Sequence, residues 1–272
     1  MDRAPVFHEI EIDGPVVIWK FKNPPKNLLT RETGEELADL VEEFEGDRDL
    51  RVGILTSAVP DVFIQHYDVS ALVEMAGRLR ATTDDDPLRF AFQRPVQRGT
   101  RRLGPKPIIA AINAWVSGGG LELALTCDFR FMSRSATLGL IEVLLGILPG
   151  GGGTQRMARL IGTARALEMM MLGKIIGADE AERMGIIHRA CEPEELLPAA
   201  VAFAKQLAAR PPLALALIKR CVYEGTEMPI SEGLALERQL FMELMRSDDA
   251  YRLMSEYVAD GQDRNYFWRF QD

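Results

Sequence analysis

Cysteine and histidine are both scarce, at three residues each in a chain of 272. Cys127, Cys191 and Cys221 are odd in number, widely spaced and without a C-x-x-C pair. That excludes a disulfide scaffold and predicts free thiols in a reducing compartment. His8, His66 and His188 form no H-E-x-x-H pattern, so no zinc site and no metal are expected. Positive charge is also short, with 32 Lys and Arg against 40 Asp and Glu, a net charge of -8 and a pI near 5.1. This balance argues against nucleic acid as a partner. The best basic cluster, Arg98, Arg101 and Arg102, is short and reads as a solvated helix face. No apolar run approaches the roughly 20 residues of a membrane span. The first fifteen residues carry Asp2, Glu9, Glu11 and Asp13 and no apolar or Arg-rich signal, so no targeting segment is read and a cytoplasmic location is expected.

What is present is a chain 47% apolar, enough for a substantial core. Phe7–Asp13 alternates apolar and polar residues, Gly14-Pro15 interrupts it, and Val16–Phe21 resumes, which reads as a hairpin. Thr30 is a candidate N-cap for a helix carrying Leu37, Leu40, Val41 and Phe44 at helical spacing. Val52–Thr56 reads as a buried strand, Val69–Leu79 as a helix capped by Asp68, and Pro87–Leu103 as a further helix. Ile108–Ile112 and Phe129–Met132 read as strands on either side of a glycine-rich helix start. From Ala178 onward helices dominate, including Glu192–Ala209, Pro212–Tyr223 and Ser231–Met245. The expected organisation is an α/β core over residues 1–200, then a helical region over 201–272 for oligomer contacts and active-site cover.

The chemistry concentrates between Pro107 and Arg156. A buried strand runs into the corner Gly118-Gly-Gly120, followed by Glu122, and a second carboxylate, Glu142, lies in the apolar stretch Leu138–Leu148. Free backbone N–H groups at such a corner hold negative charge developing on an oxygen. A carboxylate among apolar residues is costly unless partnered or functional. An anion shelf beside two carboxyl groups suggests acid/base chemistry on a carbonyl compound. Other assignments fit less well. Gly150–Gly153 lacks the Gly-Lys-Ser/Thr ending of a phosphate loop, and Ser117 lies outside a G-x-S-x-G elbow.

Ile108–Asp128, Glu142–Arg156 and Val62–Val69 together resemble the enoyl-CoA hydratase/isomerase, or crotonase, family. The likeness continues through Gly162–Gly173, Ala178–Gly185 and Pro211-Pro212. It implies an α/β spiral of repeated ββα units with a C-terminal helical region, assembled as a homotrimer or a hexamer made from two trimers. It implies an acyl-CoA substrate, with coenzyme A entering as part of that substrate and no other cofactor. By the resemblance, the backbone N–H groups of Tyr67 and Gly119 form an oxyanion hole, Glu122 activates water and Glu142 delivers a proton to the α-carbon. The same resemblance puts the CoA nucleotide near Lys26, Asn27 and Leu28 and the backbone of Phe63 to Gln65. The activity implied is enoyl-CoA hydration; double-bond isomerisation, decarboxylation, thioester hydrolysis and a non-catalytic acyl-CoA-binding or scaffold role are the alternatives. Three positions depart from the family pattern. The loop Phe63-Ile-Gln-His-Tyr-Asp68 puts His66 where glycine is usual, which marks it as a pocket modifier; Ala114 follows Asn113 in place of glycine; and the tail lacks the family's basic motif.

Overall fold

Alternation along Val16–Phe21 (β2) sends Val17, Trp19 and Phe21 to one face of a sheet and Val16 and Ile18 to the other. Ile108–Ile112 (β5) repeats the pattern, with Ile108, Ala110 and Ile112 in one core and Ile109 and Ala111 in the second. Strands covered on both faces read as continuous apolar runs, and these do. The computed structural model describes residues 4–81 and 104–270. The helix expected over Pro87–Leu103 and the cluster Arg98, Arg101 and Arg102 lie outside the described residues.

Two sheets are built, and through the middle of the chain successive strands alternate between them. His8–Asp13 (β1) pairs antiparallel with β2, and β2 continues in parallel through Val52–Ser57 (β3), β5, Phe129–Ser133 (β7) and Arg189–Cys191 (β10). Val62–Ile64 (β4), Trp115–Ser117 (β6), Thr137–Gly139 (β8) and Ile175–Gly177 (β9) form the smaller sheet in that order. The successive pairs β3–β4, β5–β6 and β7–β8 thus each place one strand in the large sheet and the next in the small one. Helices follow the first two pairs, Val69–Ala81 (α2) and Gly118–Ala124 (α3), and a 3-10 turn, Glu142–Leu145, follows the third. This is the spiral of ββα units that the sequence implies.

Local signals hold the elements in place. Thr30 caps Arg31–Gly46 (α1) in a reciprocal box, accepting from Thr33 N at 3.3 Å while Thr33 Oγ1 accepts from Thr30 N at 2.8 Å. Asp68 Oδ1 accepts from Ser70 N at 2.9 Å at the start of α2. Gly153–Ile161 (α4), Thr163–Leu172 (α5) and Ala178–Met184 (α6) complete the face around the first core. Leu196–Ala208 (α7) covers the other face, with Ala200, Ala204 and Ala208 four residues apart and packed into the second core. Small side chains at that spacing let the helix approach the sheet closely.

The chain divides into two units, Met1–Ala208 and Ala209–Asp272, so the boundary falls after Ala208 and not at 200. The reason is physical: the last two turns of α7 remain part of the second core. The second unit holds Pro212–Gly225 (α8), Ile230–Leu244 (α9) and Asp248–Ala259 (α10). Gly225 and Gly233 meet where α8 and α9 turn back on each other, 3.3 Å separating Gly225 O from a β-carbon built on Gly233. A 3-10 turn, Arg264–Phe270, brings Tyr266 against Tyr257 with ring centroids 5.3 Å apart. Among the described residues no single helix is long and apolar enough to cross a membrane.

Candidate active site

The site begins where β4 and β6 end side by side. Gln65 O accepts from Ser117 N at 3.1 Å and from Ser117 Oγ at 2.5 Å, so the serine hydroxyl is spent on holding the two strand ends together. The chain then turns through Gly118 at φ 46°, a left-handed value that glycine adopts without strain, into α3. A β-carbon at Gly120 would lie 2.2 Å from Ile64 O, so the first turn of α3 rests on β4 at a distance no other residue permits.

This packing brings Tyr67 and Gly119 together. Leu29 N donates to His66 O at 2.9 Å and Asp68 N to Leu29 O at 2.8 Å, a parallel bridge that turns the Tyr67 N–H to the opposite side. There a β-carbon on Gly119 would stand 3.1 Å from Tyr67 N. The Gly119 N–H belongs to the first turn of α3, where no helical acceptor precedes it. Among the described residues neither N–H meets an acceptor, so two donors stand free beside one another.

Glu122 follows on α3 and is buried, only 5% exposed. Its Oε1 accepts from Gly151 N and Gly153 N, each at 2.7 Å. Its Oε2 has no hydrogen-bond partner among the described residues, and the side chain lines a cavity of about 690 Å³. Burial pushes the Glu122 carboxyl above its ordinary value, while the N–H groups of Gly153 and Gly151 and the guanidinium of Arg156 pull it back. The run Gly150–Gly153, which in the sequence stands out only as the absence of a phosphate loop, therefore supplies the donors that hold Glu122. Nothing in the spacing alone points to it, because 29 residues separate Glu122 from Gly151.

Glu142 reaches the same cavity from the 3-10 turn. Its Oε1 lies 3.3 Å from a β-carbon built on Gly118, and its Oε2 is buried with no partner among the described residues. Burial, then the negative charge of Glu122, push its carboxyl up to about 7 against the opposing pull of its own backbone N–H. One cavity is thus lined by an anchored carboxyl and an unanchored one, both with raised proton affinity, and by Tyr67 and Gly119, whose N–H groups meet no acceptor among the described residues. Away from these groups its wall is mostly apolar, formed by Leu37 and Ala38 of α1, Leu72, Met75 and Leu79 of α2, and Leu145 to Leu148, with Thr30 and Arg31 at the start of α1. Among the described residues no group of His, Cys, Asp and Glu is arranged to hold a metal ion.

His66 also lines this cavity, and its backbone does not enter the left-handed region. Its Nδ1 pairs with Tyr67 O at 2.7 Å and its Nε2 with Gln65 Nε2 at 3.2 Å. With Nδ1 donating and Nε2 accepting, the ring is a brace inside its own loop.

The residues expected around the CoA nucleotide separate into two groups. Lys26 is exposed and Leu28 half-exposed. Asn27, by contrast, is fully buried, with Nδ2 donating to Phe63 O at 2.6 Å and to Ser57 Oγ at 3.0 Å, and Oδ1 accepting from Asn23 N at 2.6 Å. The Phe63 side chain is buried as well, and Gln65 N is taken by Asn27 O at 3.1 Å. Asn27, Phe63 and Gln65 thus use these polar groups to fasten the loop to β4, which leaves Lys26 as the accessible cation among the five.

Residues 11–264 match the family described as enoyl-CoA hydratase/isomerase, and the chain belongs to that family of enzymes. It is 33% identical over 250 residues to the short-chain-enoyl-CoA hydratase of Clostridium acetobutylicum, covering 92% of this chain and 93% of that one. It is 32% identical to the carnitinyl-CoA dehydratase of Citrobacter koseri, covering 87% and 89%. A crystal structure of enoyl-CoA hydratase subunit I from Geobacillus kaustophilus superposes with a TM-score of 0.84 at 35% identity, covering 94% of this chain and 96% of that one.

Proposed function

We propose that this protein is an enoyl-CoA hydratase, adding water across the 2,3 double bond of an enoyl-CoA thioester to give the 3-hydroxyacyl-CoA. The unequal carboxyl pair carries this reading: Glu122 has one oxygen anchored and one open, while Glu142 holds a proton up to about pH 7. The thioester oxygen lies between the N–H groups of Tyr67 and Gly119. As a water oxygen bonds to the β-carbon, Glu122 Oε2 takes one of its protons, and the double-bond electrons move onto the α-carbon and the thioester oxygen as an enolate. The two N–H donors hold that charge, each worth roughly 3 kcal/mol in the transition state. Glu142 gives its proton to the α-carbon and the carbonyl reforms. The proton left on Glu122 returns to Glu142 after product leaves, so one water is added and the pair is reset.

The apolar wall supports an uncharged acyl group, and the exposed Lys26 supports CoA phosphate near the loop it occupies. Coenzyme A is then part of the substrate and no separate cofactor enters. Isomerisation, decarboxylation or thioester hydrolysis would be suggested by the altered loop at His66 and Tyr67, but the His66 ring is occupied within that loop, and the two carboxyls in one cavity count against a scaffold role. A homotrimer, or a hexamer of two trimers, is supported by exposed apolar side chains, Met171 and Leu172 in the first unit and Ile218, Phe241 and Met242 in the second. Incubating the protein with crotonyl-CoA and longer enoyl-CoAs tests the activity: conjugated absorbance falls and 3-hydroxyacyl-CoA appears. No such product at any chain length, straight, branched or aromatic, would sink the hydratase reading.

A further inference from the structure

Two N–H groups hold Glu122, that of Gly151 in the glycine loop and that of Gly153 where the loop enters α4. The group that fixes this loop is Arg156, in the first turns of α4. Its Nη1 donates to Gly151 O at 2.9 Å, the carbonyl of the same residue whose N–H reaches Glu122 Oε1. The guanidinium lies so close that a β-carbon on Gly152 would stand 2.1 Å from Nη1, and Gly152 takes a φ of 100°. On the other side of the loop, β-carbons on Gly151 and Gly153 would lie 2.7 and 2.9 Å from the Glu122 carboxylate oxygens. The loop is thus pressed between a cation and a carboxylate, with no room for a side chain on either face. Among the described residues the ionisable groups around Glu122 are Arg156 from α4, Glu142 from the 3-10 turn, and His66, Tyr67 and Arg31 across the shared cavity.

We propose that Arg156 is a positioning residue: by clamping the Gly151 carbonyl it makes the N–H groups of Gly151 and Gly153 converge on one Glu122 oxygen and leaves the other for the attacking water. The positive charge acts in the same sense, favouring the carboxylate over the acid. The kinetic expression of this role rests on the hydratase reading, whereas the clamp itself is independent of it.

The test uses Arg156→Met, which removes both fork and charge, and Arg156→Lys, which keeps the charge. For each, kcat and KM with crotonyl-CoA are measured across pH. In parallel the Glu122 carboxyl is titrated by carbon-13 NMR in glutamate-labelled protein, its signal assigned by its loss in Glu122→Gln. In Arg156→Met, kcat is expected to fall roughly thirtyfold or more while KM stays within about threefold. The Glu122 midpoint and the acid limb of the rate profile should both move up by about half a pH unit or more. Arg156→Lys should recover part of the rate and bring the midpoint back toward the parent. A rate loss with an unmoved Glu122 midpoint, or a Lys variant no better than Met, would overturn the assignment and leave Arg156 a structural contact. Where Arg156→Met does not fold, Arg156→Lys decides: lower kcat at unchanged KM supports the clamp, and parental kcat overturns it. A parent protein that hydrates no enoyl thioester defeats the hydratase reading instead, and the carboxyl titration still judges Arg156.

Discussion

Glu122 and Glu142 share one cavity, yet the two regions that present them treat the same side chain in opposite ways. Glu122 is the more deeply buried, but it meets a glycine loop that supplies two N–H donors at 2.7 Å and a guanidinium behind them. Glu142 projects from a turn rich in leucine, where one of its oxygens is buried without a partner among the described residues and the charge of Glu122 adds to the cost of ionisation. Burial alone therefore does not set how far each carboxyl is pushed up: donors and a nearby cation offset it at Glu122, while the charge of Glu122 adds to it at Glu142. In the proposed mechanism this difference is what would separate the proton acceptor, Glu122, from the proton donor, Glu142.

Replacing each carboxylate by its amide breaks this comparison most severely. Glu122→Gln keeps an oxygen that accepts from Gly151 N and Gly153 N but cannot take the proton of a bound water, while Glu142→Gln fills the same space with no proton to deliver. Each is expected to lose on the order of 10³-fold in kcat with the fold and acyl-CoA binding retained. Turnover assays with isothermal binding measurements check this. A variant that hydrates at the parental rate removes its residue from the mechanism.

The same asymmetry sets the pH dependence. With Glu142 as the proposed proton donor, kcat/KM should fall as pH rises through about 7, where its proton leaves. Two interacting carboxyls titrate together, so the midpoint belongs to the pair. Above it the rate is expected to drop about tenfold per pH unit. Rates measured from pH 5 to 10 decide the matter, and a profile flat to pH 9 would show that Glu142 does not act as the acid.

How much of this could be read beforehand follows from what is local. The hairpin, the Thr30 and Asp68 caps and the strand Ile108–Ile112 are written in neighbouring residues and stand where the patterns put them. Glu122 and Glu142 announce themselves as a carboxylate after a glycine corner and a carboxylate among leucines. The donors that hold Glu122 lie 29 and 31 residues away, and the bridge from Leu29 that turns the Tyr67 N–H crosses from another part of the chain. Such partners exist only after the chain closes, so periodicity cannot reveal them. The same holds for Asn27, which looks like a polar loop residue but proves to be a buried tie to β4. A boundary at 200 cuts α7 because the alanines that bury its final turns resemble any other apolar helix face.

The smallest expected effect is on stability, and it sharpens the contrast without involving substrate. Glu142 is pushed up to about 7 in the folded protein from an ordinary value of 4.5. Between those pH values the folded chain retains a proton that the unfolded chain has lost, so this group makes stability fall as pH rises across the window, with no further loss above about 7. Glu142→Gln has no such proton. After allowing for the partial exposure of the side chain it should be more stable than the parent by ~1–2 kcal/mol at pH 8, a few degrees in Tm, and indistinguishable from it below pH 4.5. Glu122→Gln should gain less, because the amide gives up charge-assisted hydrogen bonds from Gly151 and Gly153 and the attraction of Arg156 along with the desolvation cost. Thermal melts of the parent and both variants at equal concentration, at pH 4 and pH 8, compare the two sites directly. Equal gains at pH 8 would mean that the glycine loop does not compensate the buried charge of Glu122, and the division between an anchored and an unanchored carboxyl would fail.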